Sequence, residues 1–465
     1  MKIALCFPRT LNELHGVWPP LGIVYLGTVL KQNGYEVKLF DSSFDSTLEK
    51  MKQSLKDYSP DIVGMTALTS LFENVKEIAE FTKKLGSIVV VGGPHATIVP
   101  EDCLKNEYID LAVIGEAEET IVDLIKTIEK KEDLKNVKGI GFKENGKIVI
   151  NNPRNSIKNL DEIPIPERDL LPTFHEYLKN GATNIFAIRG CPNKCSFCYP
   201  MIPRLFGQMI RFRTPKNILD EIKLLQEKYK IDEFFFVDDT FALSKPWLKE
   251  FADEIKKQDV KIKYLANARC NTFDEEMAQI LKESGCFYVA FGVESGSQKI
   301  LDTLQKGITV EQIINAFSIC KKYKLRTHAY LMVGSPGETK ETLHETEVLL
   351  DKIKPDTLDF NLTTPLFGTA LYDYCKDKNL LNLKSFLHQD YKGYFENTTP
   401  VILSDLTLED VQSFIKKMLK KRRFKTLMSK GMEMSKEFIT HPTPSNLQKI
   451  IWRYKIYKRM RHMFG

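Results

Sequence analysis

The segment Ile185-Phe-Ala-Ile-Arg-Gly-Cys191-Pro-Asn-Lys-Cys195-Ser-Phe-Cys198-Tyr199 leaves an apolar, strand-like run and places three cysteines within eight residues. Thiolates at this spacing can converge on one small ion or cluster. Iron–sulfur cubanes normally take four cysteine ligands. Here Cys191, Cys195 and Cys198 supply three, and no fourth cysteine is near in sequence. Three protein ligands leave one metal position open, and open positions are where substrates bind. A structural zinc site would want a second C-x-x-C or Cys/His pair, yet Cys6, Cys103, Cys270, Cys286, Cys320 and Cys375 each stand alone. Nine cysteines in 465 residues, an odd and sparse count, do not make a disulfide scaffold.

Length and composition bound the rest. At about 100–200 residues per domain, the chain holds two or three domains, each able to form its own core. An apolar fraction of 43% with 28% charged residues is ordinary for globular proteins. No apolar run reaches the ~18–20 residues of a membrane span. Met1-Lys-Ile-Ala-Leu-Cys-Phe7 runs straight into a strand pattern rather than a signal peptide, so the expected location is a reducing cytoplasm.

Residues 1–150 alternate strand and helix signals. Strands are predicted at Ile3–Phe7, Glu36–Phe40, Ile62–Met65, Ile88–Val91 and Leu111–Ile114, with helices at Leu21–Gln32, Leu71–Lys84 and Glu118–Lys130. This alternation predicts a parallel sheet, with ligands beyond the carboxyl ends of the strands. The loops there are Pro8–Pro20, Thr66–Thr69, Gly92–Thr97 and Gly115–Glu118. Gly92-Gly93 ends a strand without side chains, which admits a large ligand against the backbone or simply makes a tight turn. Gly139–Ile150 reads as a hairpin turning at Asn145-Gly146. Residues 151–181, rich in Pro, Asn and charge, read as a linker.

From 182 to 371 the alternation resumes. Strands are predicted at Asn184–Ile188, Glu233–Val237, Lys263–Asn267, Phe287–Phe291, Thr327–Met332 and Thr357–Asn361, separated by helices at Pro215–Lys230, Ser244–Lys257, Asp274–Glu283, Thr309–Lys322 and Glu338–Ile353. Six such units make a partial barrel, whose functional residues belong at strand carboxyl ends. The cysteines follow the first strand. Asp238-Asp239, Arg269, Glu294-Ser295, Gly334-Ser-Pro336 and Thr363-Thr364 follow the others. Any one of these is compatible with a turn or a helix cap, and Ser297 and Thr339 are expected to cap helices without any ligand. Polar groups at the same end of all six strands argue for a shared site.

With these residues in place, the chain resembles the radical S-adenosylmethionine (SAM) superfamily, whose signature is C-x-x-x-C-x-x-C with an aromatic before the last cysteine, here Phe197. Thr66-x-Leu68-Thr69, Gly92-Gly93-Pro94-His95 and Gly115-Glu116, with Pro19–Gly27, resemble the cobalamin-binding domains fused to such modules. The resemblance implies a Rossmann-like cobalamin-binding domain over 1–150, a partial (β/α)6 radical SAM barrel over 182–371 and a mainly helical region over 372–465, an α/β protein overall. It implies a 4Fe-4S cluster on Cys191, Cys195 and Cys198. It implies SAM held by Phe197, by Asp238 and Asp239 near the methionyl ammonium, by Arg269 near its carboxylate and by Glu294 and Ser295 near the ribose. Gly334 and Pro336 would pack on adenine. The charge logic stands by itself: a substrate carrying an ammonium and a carboxylate is oriented by an acid and an Arg at separate strand ends. For Asp238-Asp239 the alternative is a pair of helix N-terminal carboxylates. Thr66, Leu68, Thr69, Gly92, Gly93, Pro94, His95, Gly115 and Glu116 would line the channel for the cobalamin nucleotide tail.

Many cobalamin domains carry D-x-H-x-x-G after the first strand, with the His ligating cobalt. Here that loop has His15-Gly16 without the spacing. A cobalt with water or nothing on its lower face is therefore expected, and His95 is expected to bond the tail or backbone rather than the metal. The implied chemistry is one-electron cleavage of SAM to a 5′-deoxyadenosyl radical, hydrogen abstraction from an unactivated carbon and methylation through methylcobalamin. Ring formation or rearrangement without methyl transfer is the alternative within the family, and an iron–sulfur electron carrier the alternative outside it. The implied partners are a small-molecule or lipid-like substrate and an external electron donor.

The net charge of +6 hides an asymmetry, for residues 411–465 hold 15 Lys/Arg against two Glu. A helix is predicted over Thr407–Lys430, and Leu447–Phe464 interleaves apolar side chains with six Lys/Arg. Such a tail can cap the barrel, lie on an anionic membrane or bind an acidic partner. A peripheral membrane contact is the functional expectation. No RNA-binding module is recognisable, which disfavours nucleic acid.

Overall fold

The computed structural model describes residues 1–10, 18–179, 181–381 and 403–421. The chain divides into two compact units that are not continuous in sequence. The first joins Met1–Phe174, Ala187–Glu221 and residues 364–381; the second joins His175–Phe186, Ile222–Thr363 and residues 403–421.

In the first unit the elements run β1 (Lys2–Phe7), α1 (Leu21–Gln32), β2 (Glu36–Asp41), α2 (Glu49–Tyr58), β3 (Ile62–Thr66), α3 (Phe72–Lys84), β4 (Ile88–Gly92), α4 (Pro94–Ile98), α5 (Pro100–Lys105), β5 (Leu111–Val113), α6 (Glu118–Lys130), β6 (Ile140–Glu144) and β7 (Lys147–Ile150). They form one seven-stranded sheet in the order β2-β1-β3-β4-β5-β6-β7. The first five strands are parallel, and the hairpin β6–β7 joins antiparallel. Ile3, Ala4, Val63, Val89, Val91 and Ala112 are buried, as the unbroken apolar runs of a helix-covered parallel sheet require. The order changes direction at β1, and ligands in open parallel sheets sit outside the strand carboxyl ends at such a switch.

The predicted strands and helices all appear, with ends shifted by one or two residues at most. For the helices α2, α4 and α5 the sequence reading named no bounds, though it expected helical pattern between the strands. Helix α2 is a charged segment with Met51, Leu55 and Tyr58 as its buried residues. Helices α4 and α5 are five and six residues long, each begun by a proline that presets the first turn.

The chain then passes through α7 (Phe174–Leu178) to β8 (Ala182–Ile185), β9 (Ile188–Arg189), α8 (Met201–Phe206), β10 (Arg211–Phe212), α9 (Pro215–Tyr229), β11 (Glu233–Phe236), α10 (Lys245–Lys257), β12 (Lys263–Ala268), α11 (Glu275–Glu283), β13 (Cys286–Glu294), α12 (Gln298–Thr303), α13 (Val310–Lys322), β14 (Arg326–Val333), α14 (Lys340–Ile353), β15 (Thr357–Leu362) and α15 (Ala370–Asp377). The second unit is built on an all-parallel sheet in the order β15-β14-β13-β12-β11-β8, the six strands of a partial barrel. Its aromatic core interlocks Phe236, Phe241, Trp247, Phe251 and Tyr264, with Phe236 and Phe241 stacked at 4.2 Å.

Two details of this unit differ from the sequence reading. The predicted strand Asn184–Ile188 is two pieces: β8 in the six-stranded sheet, and β9, which pairs antiparallel with β10 as a separate ribbon in the first unit. Thr339 caps α14 through a reciprocal capping box, but Ser297 makes no side-chain cap bond to α12. A helix at residues 408–421 lies outside the alternating pattern. Its Lys417 and Lys421 pair with Glu347, Lys421 also with Asp351, and its Phe414 packs edge-on against Phe360 of β15. The helix is thus docked chiefly on α14, with one ring contact to β15. Leu447–Phe464 and the end of the polybasic run lie outside the described residues.

Candidate functional site

The three cysteines lie in a loop rooted by the β9–β10 ribbon, where Arg189 faces Arg211 and Ile188 faces Phe212. Arg213 N donates to Ala187 O at 2.8 Å just beyond it. Within the loop, the amides of Cys198 and Tyr199 donate to Cys195 O at 3.1 and 2.8 Å, forming a tight turn. The start of α15 docks on it: Ala370 N donates to Tyr199 O and Leu371 N to Ser196 O, both at 2.8 Å. None of the nine cysteines is joined in a disulfide; Cys195 is buried, and Cys191 and Cys198 are half-buried. The other six are buried, and burial pushes the Cys270 and Cys286 thiols up to about 12, as for inert core cysteines.

Among the described residues, no three His, Cys, Asp or Glu side chains close on a single point where one metal ion would sit. A structural zinc needs such convergence, at about 2.0–2.3 Å from each ligand. A cubane does not, because each iron takes its own thiolate and the irons stand apart. Three thiols on a backbone-braced loop, one buried and two half-buried, fit that cluster and leave one iron without a protein ligand.

In the same unit, the loops after β3, β4 and β5 are knitted into one surface. Ala67 N donates to Gly92 O at 2.7 Å, and His95 N to Ala67 O at 3.0 Å. Gly115 N donates to the Thr97 hydroxyl at 3.0 Å. The sequence reading proposed Thr66–Thr69, Gly92–His95 and Gly115 as one lining, and the structure brings them together. Gly93 has φ +96°, and a Cβ there would stand 3.3 Å from Ala67 O, so the approach of these loops depends on glycine. Around Gly115, with φ +80°, a Cβ would meet nothing within 4 Å. Open space beside glycine-ended strands fits a bulky ligand laid on backbone.

His95 is almost fully buried. Its Nδ1 bonds Thr69 Oγ1 at 3.1 Å, its Nε2 lies 3.2 Å from Asp102 Oδ2, and its ring packs on Phe72 at 4.3 Å. Both nitrogens meet side chains, Thr69 and Asp102, rather than the backbone that the sequence reading gave as one of its two expected partners. Glu116 does not face an open loop; its carboxylate is held by Arg189 and Arg211. His15 lies outside the described residues.

In the second unit the predicted residues gather at strand exits. Asp238 is buried and its carbonyl accepts from Asn267 Nδ2 at 2.9 Å. Asp239 is solvent-accessible but crowded by protein, which raises its carboxyl above the usual range. Arg269 is anchored by Lys306 O and by Asn271 Oδ1, the latter at 3.2 Å. Glu294 sits at a register break in β13 with φ +61°, an unusual backbone for a glutamate. Its Oε1 meets Lys306 Nζ at 2.6 Å, and a side chain on Gly292 would strike both. Such strain is retained at functional positions. Ser295 is fully buried, its hydroxyl against Thr346 Oγ1 at 3.2 Å and accepting from Ser297 N at 3.2 Å, so it holds the turn.

Gly334 and Pro336 are buried in the loop after β14. There Glu338 Oε2 accepts from Gly334 N at 2.5 Å while Oε1 has no hydrogen-bond partner among the described residues, and burial pushes its carboxyl up to about 7. The sequence reading gave no role to Lys306 or Asn267, and named Glu338 only in the segment after the fifth strand, as the start of a helix. Only the Lys306-Gly307 turn before a capped helix offered a signal, a weak one.

The sequence profile of the Radical SAM superfamily matches residues 185–350, and that of the B12 binding domain matches residues 10–125. An uncharacterized methyltransferase of Pyrococcus horikoshii is 35% identical over 427 residues, covering 90% of this chain and 91% of the relative. The anaerobic magnesium-protoporphyrin IX monomethyl ester cyclase of Rubrivivax gelatinosus is 30% identical, covering 79% and 68%. The fold is also that of the cobalamin-dependent SAM radical enzyme OxsB, solved with aqua-cobalamin and SAM, at a TM-score of 0.72 and 19% identity over 99% of this chain and 71% of that one. A chain with a glycine-lined parallel sheet ahead of a three-cysteine partial barrel, and with relatives matched along nearly its whole length, belongs to the radical SAM superfamily, in the group that carries an N-terminal B12-binding domain.

Proposed function

We propose that this enzyme is a cobalamin-dependent radical SAM methyltransferase acting on an unactivated carbon of a small molecule. The observation that carries the reading is that one compact unit holds both the three-cysteine loop and the knitted, glycine-ended loops after β3, β4 and β5. When bound, the cluster, SAM and cobalamin supply the electron, the hydrogen abstraction and the methyl carrier.

The residues of the chain bind and orient. Cys191, Cys195 and Cys198 hold three irons. Asp238 and Asp239 receive the SAM ammonium, with Phe197 beside the cluster. Arg269, its guanidinium fixed by the Lys306 carbonyl, is presented to the SAM carboxylate as a rigid donor. Lys306 holds one oxygen of Glu294, which leaves the other to accept from the ribose. Ser295 braces that turn, and Gly334 and Pro336 offer an apolar wall for adenine. Thr66, Leu68, Thr69, Gly92, Gly93, Pro94 and Gly115 line the corrin tail, and His95 stiffens the lining without touching cobalt. An external one-electron donor completes the system. The basic tail is proposed to contact an anionic membrane surface, and deletion of 447–465 is expected to abolish sedimentation with anionic vesicles.

The test is iron and cobalt analysis on anaerobically reconstituted, desalted protein incubated with hydroxocobalamin, followed by transfer of labelled methyl from SAM. About four irons and one cobalt per chain, with label reaching the corrinoid, is the expected result. Four irons without cobalt overturns methyl transfer. That outcome favours ring formation, the second reading, which the 30% identity to a cyclase keeps in view.

A further inference from the structure

Glu116 stands one residue past Gly115 in the loop that leaves β5, yet its carboxylate is spent on the root of the cysteine loop. Arg211 Nη1 donates to Oε2 at 2.8 Å and its Nη2 to Oε1 at 3.0 Å. Arg189 Nη1 donates to Oε1 at 2.8 Å, and Ile157 N to Oε2 at 2.8 Å. The second Arg189 amine binds Glu118. Side-chain exposures are 6% for Glu116, 12% for Arg189 and 4% for Arg211, so these charges have left water. Burial alone would raise the Glu116 carboxyl, but the hydrogen bonds from Arg211 and Arg189 outweigh it and hold it below the usual range.

Arg189 and Arg211 are cross-strand partners in the β9–β10 ribbon, and the segment between them carries all three cluster cysteines. One carboxylate therefore ties the base of the cysteine loop to the loop carrying Gly115. A desolvated, multiply bonded pair resists partial opening, because each lost bond strands a buried charge. Two sites ordered through one such hub exchange binding energy, and by linkage the exchange is reciprocal.

We propose that Glu116 is a positioning residue that couples the iron–sulfur site to the cobalamin site, so that assembling the cluster tightens cobalamin binding. The inference rests on the cobalamin reading above. The test is the dissociation constant of hydroxocobalamin, read by absorbance on the full-length protein before and after anaerobic cluster reconstitution, with iron content and the reduced-cluster EPR signal as controls. In the wild type, reconstitution is expected to tighten binding by about fivefold or more. In Glu116→Gln the ratio is expected to fall close to one while iron content is kept.

A purely structural role would weaken cobalamin in both states and leave the ratio unchanged, and that result overturns the proposal, as does a wild-type ratio of one. Arg189→Lys, which keeps the buried charge but loses the two-pronged contact, stands in if Glu116→Gln does not fold, and is expected to reduce the ratio at least by half. Wild-type protein that binds no cobalamin in either state is a separate outcome, which overturns the cobalamin reading and the coupling with it.

Discussion

Glu338 shows how one buried group shapes a ligand loop. Its carboxyl is enclosed, accepts from the Gly334 amide, and is pushed up to about 7 chiefly by burial. Between the ordinary glutamate value of 4.5 and about 7 the unfolded chain has released this proton and the folded chain keeps it. Folded-state binding of the extra proton means that stability is greatest below 4.5 and declines as pH rises towards 7. The loss is at most on the order of 3 kcal/mol. Glu338→Gln keeps an acceptor for Gly334 and removes the ionisation, so its melting temperature should exceed the wild type's at pH 8 and approach it at pH 5, which paired thermal scans would measure. At the cysteines the contrast is between loop and core. Cys195→Ala should drop bound iron from about four to near zero, while Cys270→Ala, at a buried and inert position, should leave the iron count of reconstituted protein unchanged.

Elements depend on close approaches that the sequence pattern does not announce. Gly296 follows β13, and a Cβ there would stand 2.4 Å from Thr346 Cα and 2.7 Å from Glu345 O on α14. Gly296→Ala must push α14 outward. Overpacking of this kind costs roughly 1–3 kcal/mol, read as a lower denaturation midpoint, and the shift at Ser295 and Glu294 should weaken SAM binding in equilibrium dialysis.

The same place shows what was legible beforehand. Whereas β12 and β15 mix apolar with polar residues, the strands β1, β3, β4 and β13 announced themselves because parallel strands covered on both faces read as largely apolar runs. The exposed, charged α2 and the proline-started α4 and α5 did not, since their apolar periodicity is too short to register. Cys191, Cys195 and Cys198 were readable from spacing alone. Lys306 and Asn267 were not, because each acts through a partner distant in sequence, and no local pattern encodes the Glu294–Lys306 contact or the register break beside it; Glu338 bonds Gly334 only four residues away, but nothing in the local pattern announces its burial. Glu116 was readable as a loop acid, but its occupation by Arg189 and Arg211 was not.

The chain as a whole carries two kinds of charge in separate roles. Buried pairs sit at junctions of the first unit: Glu221, with no exposed side-chain surface, is shared by Arg168 and Arg213, tying the linker to the segment after β10, as Glu116 ties the β5 loop to the cysteine loop. Surface lysines such as Lys417 and Lys421 dock the helix at 408–421 on α14 of the second unit, where exposed pairs contribute little each. Ligand binding therefore reports on the units separately. A corrinoid bound by the first unit stabilises that unit by about 2.7 kcal/mol at a hundredfold excess over its dissociation constant. Two units need not melt as one, so a single melting temperature is not assumed. Hydroxocobalamin is expected to protect peptides of the first unit, including 62–66, 88–97 and 111–118, from hydrogen exchange, and to leave β12 to β15 unchanged in protein without cluster. Protection confined to β12–β15, or none at all, would remove the first sheet as the corrinoid bed.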